Sequence, residues 1–275
     1  MAEITDKDID KARDIIYELA GTFLPPSKNS TIKNRLDKLA RDFNIEDFEA
    51  FFRNVKLGRN KQDFINAFTT NKTDFFREGF HFIDMLNRIL PHRLKEREPI
   101  KVYCAASSTG EEPYSIAATL LHAKEVYQSN TSFSICATDI DTSVLETARK
   151  GEYIVNTKLN PLPNWLDLSL YFDMQTLTPK EISLKVKREL KEAITFKQLN
   201  LMQLSYPFSQ KEFDIIFCRN VLIYFKIEDQ EKILQRLFSC LKVGGTLYLG
   251  HSESILNLAD KVDRLGQNIF IKKVD

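Results

Sequence analysis

Two adjacent carboxylates, Glu111 and Glu112, open a helical stretch directly behind six small residues, Ala105-Ala-Ser-Ser-Thr-Gly110. An apolar run beginning at Val102 leads into them. In a dinucleotide fold this position holds a glycine-rich turn, and the N–H groups and positive dipole end of the next helix receive a pyrophosphate. Carboxylates here repel phosphate, whereas a ligand carrying an adenosine, a cationic amino group and a sulfonium tolerates them. The stretch therefore predicts S-adenosylmethionine as the ligand and disfavours a diphosphate. Thr109 with Glu112 also fits a capping box, and acids suit the first turn of any helix. The small side chains favour the binding role, because they let a ligand lie against the backbone.

Other candidates follow from position. Asp139, in Ala137-Thr-Asp-Ile-Asp141, stands where an acid at the tip of the second strand holds a ribose diol, while Asp141 suits a helix cap. Arg219 and Asn220 follow the apolar run Phe213–Cys218. A buried arginine there needs an anion: a ligand carboxylate, a site acid or a substrate carboxylate. Tyr224, four residues on, either leans over a reacting methyl group or is a core-edge aromatic. Asn71, Thr73 and Arg77 crowd a connecting segment, Phe64 to Glu78, where several polar groups beside a cleft point to function. Asn71 or Thr73 could equally cap a helix starting at Asp74. Asn200 closes a later strand, as a reader of an adenine edge or as a turn residue. The four histidines lack ligand spacing such as HExxH and the four cysteines include no CxxC, so no metal is expected.

These groups need a scaffold. Residues 1–70 carry helical periodicity and no strand signal: Ile9, Ala12, Ile16, Leu19 and Ala20; then Ile32, Leu36, Leu39, Ala40 and Phe43; then a short third helix from near Ile45 using Phe48, Phe51 and Phe52. Lys28, Lys33, Arg35, Lys38 and Arg41 along the second helix face the single acid Asp37, which reads as a solvated face or as a docking surface for an acidic partner. Residues 71–99 form a linker and helix that contribute to the cofactor site. From Ile100 short apolar runs alternate with helical stretches, the signature of a doubly wound parallel sheet, so 100–275 reads as the ligand-binding domain. Between 151 and about 193 the alternation breaks into proline turns and short alternating pieces, which predicts an inserted antiparallel subdomain. Gly244-Gly245 reads as a left-handed cap on a helix from Glu228 to Leu241. The net charge of +1 gives no global case for nucleic acid or membrane. With no apolar h-region at the start and no run near ~18 apolar residues, a cytoplasmic protein is expected, with its cysteines as buried thiols.

Five segments in register, Thr70 to Arg77, Ala106 to Ala117, Ala137 to Asp141, Phe217 to Phe225 and Gly250-His-Ser-Glu253, resemble the CheR-type chemotaxis receptor methyltransferases. The resemblance covers most of the chain. It implies an α/β fold: a Rossmann-like class I methyltransferase sheet with an N-terminal helical domain and a small inserted antiparallel β subdomain. It implies a monomer that transfers methyl from S-adenosylmethionine to glutamates in the cytoplasmic helical region of membrane chemoreceptors, giving glutamate methyl esters and S-adenosylhomocysteine for chemotaxis adaptation. By the same resemblance Asn71, Thr73, Arg77, Glu111 or Glu112, Asp139, Asn200, Leu201, Arg219 and Asn220 line the cofactor pocket. Lys33, Arg35, Lys38 and Arg41 meet the receptor, and Arg93 and Tyr224 stand near the reacting centre. One departure matters: some members grip a receptor C-terminal peptide through a glycine-bearing loop of the small sheet, whereas Phe172 to Ser183 has no glycine, which counts against tethering by that route.

Overall fold

Four amphipathic helices pack together at the N-terminal end: α1 (Asp6–Ala20), α2 (Asn29–Phe43), α3 (Phe48–Lys56) and α4 (Lys61–Phe68). The computed structural model describes residues 3–274, so Met1, Ala2 and Asp275, the ends of the expected 1–70 and 100–275 spans, lie outside the described residues. Thr5 and Asp8 form a capping box that starts α1, and Asp47 caps α3. Ile16, Ile32, Leu36, Phe52, Phe64 and Phe68 bury their side chains in one cluster, with the Phe64 and Phe68 rings stacked 4.5 Å apart. Helix α4 runs into the segment expected from Phe64 as a connection. Its apolar stripe of Phe64, Ile65 and Phe68 spans barely one turn, too short for periodicity to show.

Residues 74–79 form a turn, and no helix begins at Asp74. Phe76 and Glu78 adopt positive φ angles of 52° and 54°, incompatible with a right-handed helix. The chain then runs through α5 (Phe80–Asp84), a π-helical segment (Met85–Ile89) and α6 (Leu90–Glu96).

From Ile100 the expected layered architecture appears. Seven strands, β1 (Ile100–Ala105), β2 (Phe133–Asp139), β6 (Ile194–Gln198), β7 (Phe213–Cys218), β8 (Leu241–Leu249), β9 (Val262–Gly266) and β10 (Ile269–Lys272), lie in the order β6-β2-β1-β7-β8-β10-β9. The first five in that order are parallel and the last two antiparallel. Between them run α7 (Glu111–Val126), α8 (Thr142–Lys150), α9 (Arg188–Glu192) and α10 (Ile227–Cys240). Val102, Cys104, Ile215 and Phe217 join one core cluster, while their neighbours Tyr103, Ala105, Ile216 and Cys218 join another. This alternation buries both faces of the sheet, as the continuous apolar runs required. The insertion is a second sheet, β3 (Glu152–Asn156), β4 (Phe172–Thr178) and β5 (Glu181–Val186), antiparallel with β5 in the centre.

Two readings need correction. Gly244 and Gly245 do not cap α10, which ends at Cys240; they sit inside β8, where the register against β7 slips between the pairs Phe213–Leu241 and Ile215–Thr246. A Cβ on Gly245 would stand 2.7 Å from Leu241 Cδ1 and 2.8 Å from the Lys242 carbonyl, so the irregularity itself requires glycine. Strand β9 was not anticipated, because it is an edge strand whose middle residues are largely exposed. Among the described residues no helix is long and apolar enough to cross a membrane.

Candidate active site

The strand order reverses between β1 and β7, and an open cavity lies over the carboxyl ends of the strands there, where open α/β sheets bind ligands. The loop from β1 into α7 shapes its floor. Ala106, Ser108 and Gly110 take left-handed φ angles of 53°, 49° and 100°. A Cβ on Gly110 would stand 2.8 Å from the Ala148 Cβ and 2.9 Å from the Tyr153 hydroxyl oxygen, so this close approach of loop to α8 needs a glycine. The left-handed Gly110 occupies the N-cap position without a side-chain bond, and the capping box between Thr109 and Glu112 does not form. The Thr109 hydroxyl instead donates to Glu111 (2.6 Å), outside the cavity wall, while Glu112 lines the cavity. Of the two acids left open as alternatives, Glu112 faces the cavity and Glu111 does not line it.

Glu112 meets the end of β7. The Arg219 side chain is fully buried and donates to Glu112 (2.6 Å) and to the Arg77 carbonyl, with Glu78 3.2 Å away. Of the three anions anticipated for Arg219, the structure supplies site acids. Burial pushes the Glu112 carboxyl up, against the pull of Arg219. Burial acts likewise on Glu78, but Arg219 together with bonds from His251 and the Asn220 amide (3.1 Å each) holds its carboxyl down at about 2. Buried His81 lies next to this cluster; burial and Arg219 push its pKa down to about 4, so it is neutral near pH 7. Its Nε2 stands 2.8 Å from the Gln267 carbonyl, which requires the ring proton on that nitrogen.

At the tip of β2, Asp139 is 6% exposed and accepts the backbone N–H groups of Ser108 (2.8 Å) and Asp141 (2.9 Å). Burial raises its pKa to about 6, with the backbone donors opposing. Asp141 caps α8 through the N–H groups of Ser143 and Val144 and accepts from Thr69 (2.6 Å) and Asn71 (2.8 Å). Arg77, Thr73, Leu201, Asn220 and Tyr224 complete the wall.

Comparison with known proteins decides the family. The profile described as "CheR methyltransferase, SAM binding domain" matches residues 71–271, and that described as "CheR methyltransferase, all-alpha domain" matches residues 7–69. The chain belongs to the CheR methyltransferase family. It is 37% identical over 275 residues to the chemotaxis protein methyltransferase of Salmonella typhimurium, covering 99% of this chain and 92% of that one. It is 36% identical over 275 residues to the Escherichia coli protein of the same name, at 99% and 93% coverage. Chemotaxis protein methyltransferase 2 of Pseudomonas aeruginosa is 35% identical over 267 residues, at 97% and 93%. The CheR chain is thus an S-adenosylmethionine-dependent methyltransferase, and its cavity fits that ligand. Asp139 uses two of a carboxylate's roughly four acceptor positions on backbone N–H groups, which leaves capacity for a ribose diol. Glu112, which lines the cavity at the start of α7, sets an acidic group beside any cationic part of the ligand there.

The remaining expected residues divide between the cavity wall, where Asn71 and Asn200 lie, and positions away from it, where Arg93 and Arg35 lie. Asn71 lines the cavity; its side-chain N–H groups donate to Asp141 and Thr69, and its backbone carbonyl accepts from the Ser108 hydroxyl (2.9 Å). Asn200 also lines it; its amide donates one N–H to the Leu19 carbonyl (2.8 Å) and accepts from Met202 N–H (2.9 Å), as a turn residue does, with one N–H and one acceptor position left over. Arg93 is not at the site. It donates to the Gly244 carbonyl (2.6 Å) and lies 3.2 Å from Glu96 and 3.8 Å from Asp214, at the end of β7 opposite Arg219, so the reading that placed it near the reacting centre is corrected. Arg35 turns inward, bonding the Phe68 carbonyl and Thr70 (3.0 Å), which ties α2 to the linker; Lys33, Lys38 and Arg41 stay exposed.

Two functional side chains went unread. Buried Glu253 accepts four backbone N–H groups, from Asn220 (3.0 Å), Val221 (2.8 Å), Leu222 (2.8 Å) and Gly250 (2.6 Å), and so fixes the loop that presents Asn220 and Tyr224. Glu78 anchors Arg219 and Asn220. Both acids lie in or beside segments that carried the family resemblance, which was the available signal. From the other side, Phe23 N–H donates to the Tyr224 carbonyl (2.7 Å), so the helical domain braces the same loop.

Proposed function

We propose that this CheR methyltransferase works in the cytoplasm, moving the methyl group of S-adenosylmethionine onto glutamate side-chain carboxylates of membrane chemoreceptors. The products are glutamate methyl esters and S-adenosylhomocysteine, in service of chemotaxis adaptation. The observation that carries this reading is Arg77: it faces the cavity with Tyr224 and Glu112, and its one bond to the Lys72 carbonyl (3.0 Å) leaves guanidinium donors to spare for an incoming anion. Arg77 thus takes the place that Arg93 does not fill.

S-adenosylmethionine supplies an electrophilic methyl on sulfur. A glutamate with an ordinary pKa near ~4.3 is already anionic at neutral pH and needs no general base. Arg77 orients the incoming carboxylate, and Tyr224 closes over it to exclude water and to donate one hydrogen bond from its hydroxyl. Contacts to the carboxylate must stay modest, because its charge is greatest before attack and tight pairing would stabilise the ground state. Asp139 holds the ribose diol, while Glu112 faces the cationic end of the cofactor. Lys33, Lys38 and Arg41 offer the acidic receptor a basic face.

Three outcomes are expected. Tyr224→Phe lowers kcat about tenfold, the worth of one hydrogen bond, with cofactor affinity unchanged by calorimetry. Reversing Lys33, Lys38 and Arg41 to glutamate raises the receptor KM about tenfold at low salt and flattens its salt dependence. The Asp139 carboxylate is the form that accepts a diol, so affinity for S-adenosylhomocysteine is full above pH 6 and falls about tenfold per pH unit below it, read by titration between pH 4.5 and 8.

The reading is tested with methyl-labelled S-adenosylmethionine and chemoreceptor-containing membranes. Label should enter the receptor and leave as methanol in mild alkali, as an ester does. Alkali-stable label, or label only in small molecules, refutes it.

A further inference from the structure

A second cleft shares Arg77 with the cofactor cavity. One wall is the turn carrying Phe76, Arg77 and Glu78; the other is the loop of the inserted subdomain carrying Leu159, Pro163 and Trp165. This loop is held in shape. Asn156 Oδ1 accepts the N–H groups of Lys158 (3.1 Å) and Leu159 (3.2 Å), Asn160 N–H donates to the Asn156 carbonyl (2.9 Å), and the Trp165 ring stands edge-on to Phe76 at 5.8 Å. Leu159 is nonetheless 78% exposed. A large apolar side chain and a tryptophan, fixed beside a reacting centre, have the make-up of a binding hot spot, because little ordering remains to be done on contact.

We propose that this cleft seats the methyl-accepting polypeptide, taking apolar side chains that flank the accepting glutamate on the same face while the glutamate itself turns past Arg77 into the cavity. The inference rests on the proposed function above. Two features commit the cleft to this occupant. It is continuous with the reaction site through Arg77, whose charge suits the glutamate. Its own acids, Glu78 and Asp74, repel further carboxylates, while its Leu159, Pro161, Pro163 and Trp165 offer apolar surface, so the side chains it accepts beside that glutamate are not acidic. The inserted subdomain then recognises substrate next to the chemistry, a role independent of any glycine-bearing tether loop.

The test measures initial rates of methyl transfer from labelled S-adenosylmethionine to chemoreceptor-containing membranes over a range of receptor concentration, for the intact protein, Leu159→Glu and Trp165→Ala. Leu159→Glu alters an exposed position and guards against a folding defect in Trp165→Ala. Both variants should raise receptor KM about tenfold and keep their affinity for S-adenosylhomocysteine within about twofold. A receptor KM within about twofold of the intact protein for Leu159→Glu overturns the proposal, as does a fall in kcat at unchanged KM. If the unaltered protein itself transfers no methyl to receptor, the proposed function fails first and the cleft assignment falls with it.

Discussion

Arg219→Met is expected to destabilise the protein by about 3–5 kcal/mol, because it strands two largely buried carboxylates that now share one guanidinium. Glu112 and Glu78 approach Arg219 at 2.6 and 3.2 Å from α7 and from the turn before α5, so the arginine joins three segments that are distant in the chain. Methionine keeps the volume and removes the charge. Glu112, already pushed up by burial, would take a proton, and Glu78 would lose the partner that chiefly offsets its own burial. Urea unfolding at pH 7 reads the loss. Adding Glu112→Gln to Arg219→Met should recover part of it, since the cost of neutralising that carboxylate is gone; no recovery would mean that Arg219 acts by packing alone.

Asp139→Ala carries the second large effect, an increase of about a hundredfold in the dissociation constant for S-adenosylhomocysteine. Two hydrogen bonds from a diol to a buried carboxylate are worth about 1.5 kcal/mol each at the low end of charge-assisted bonds, and about 2.7 kcal/mol is a hundredfold. The same substitution orphans the Ser108 and Asp141 N–H groups and loosens the floor of the cavity. Calorimetry at pH 7.5 measures it, and an unchanged dissociation constant would remove Asp139 from the site.

The main sheet was legible because its strands are apolar runs of four to eight residues closed by small or polar ones, and burial on both faces leaves little else for such runs to do. Pieces that pack little were not. Helix α4 is short, β9 is an exposed edge, and Gly244-Gly245 reads the same beside a helix end or inside an irregular strand. Within the site, residue types announced Arg219, Asn220 and Asp139, since a polar group at the carboxyl end of an apolar strand has few other reasons to be there. Choosing between Glu111 and Glu112 was beyond the sequence: neighbours on a helix point about 100° apart, and the left-handed Ser108 and Gly110 decide which one turns inward. Glu253 stayed hidden because the N–H groups at Asn220 that it gathers lie 33 residues away. Arg93 was misplaced because no motif surrounds it, and only the fold shows it at the far end of β7.

All of this depends on an anionic helix start, clamped by Arg219, that accepts a sulfonium cofactor and rejects a diphosphate. The most direct measurement is calorimetric titration of the purified protein with S-adenosylhomocysteine and, separately, with NAD. The account predicts saturable 1:1 binding of S-adenosylhomocysteine and no detectable heat with the dinucleotide; tight binding of NAD with none of S-adenosylhomocysteine would contradict it.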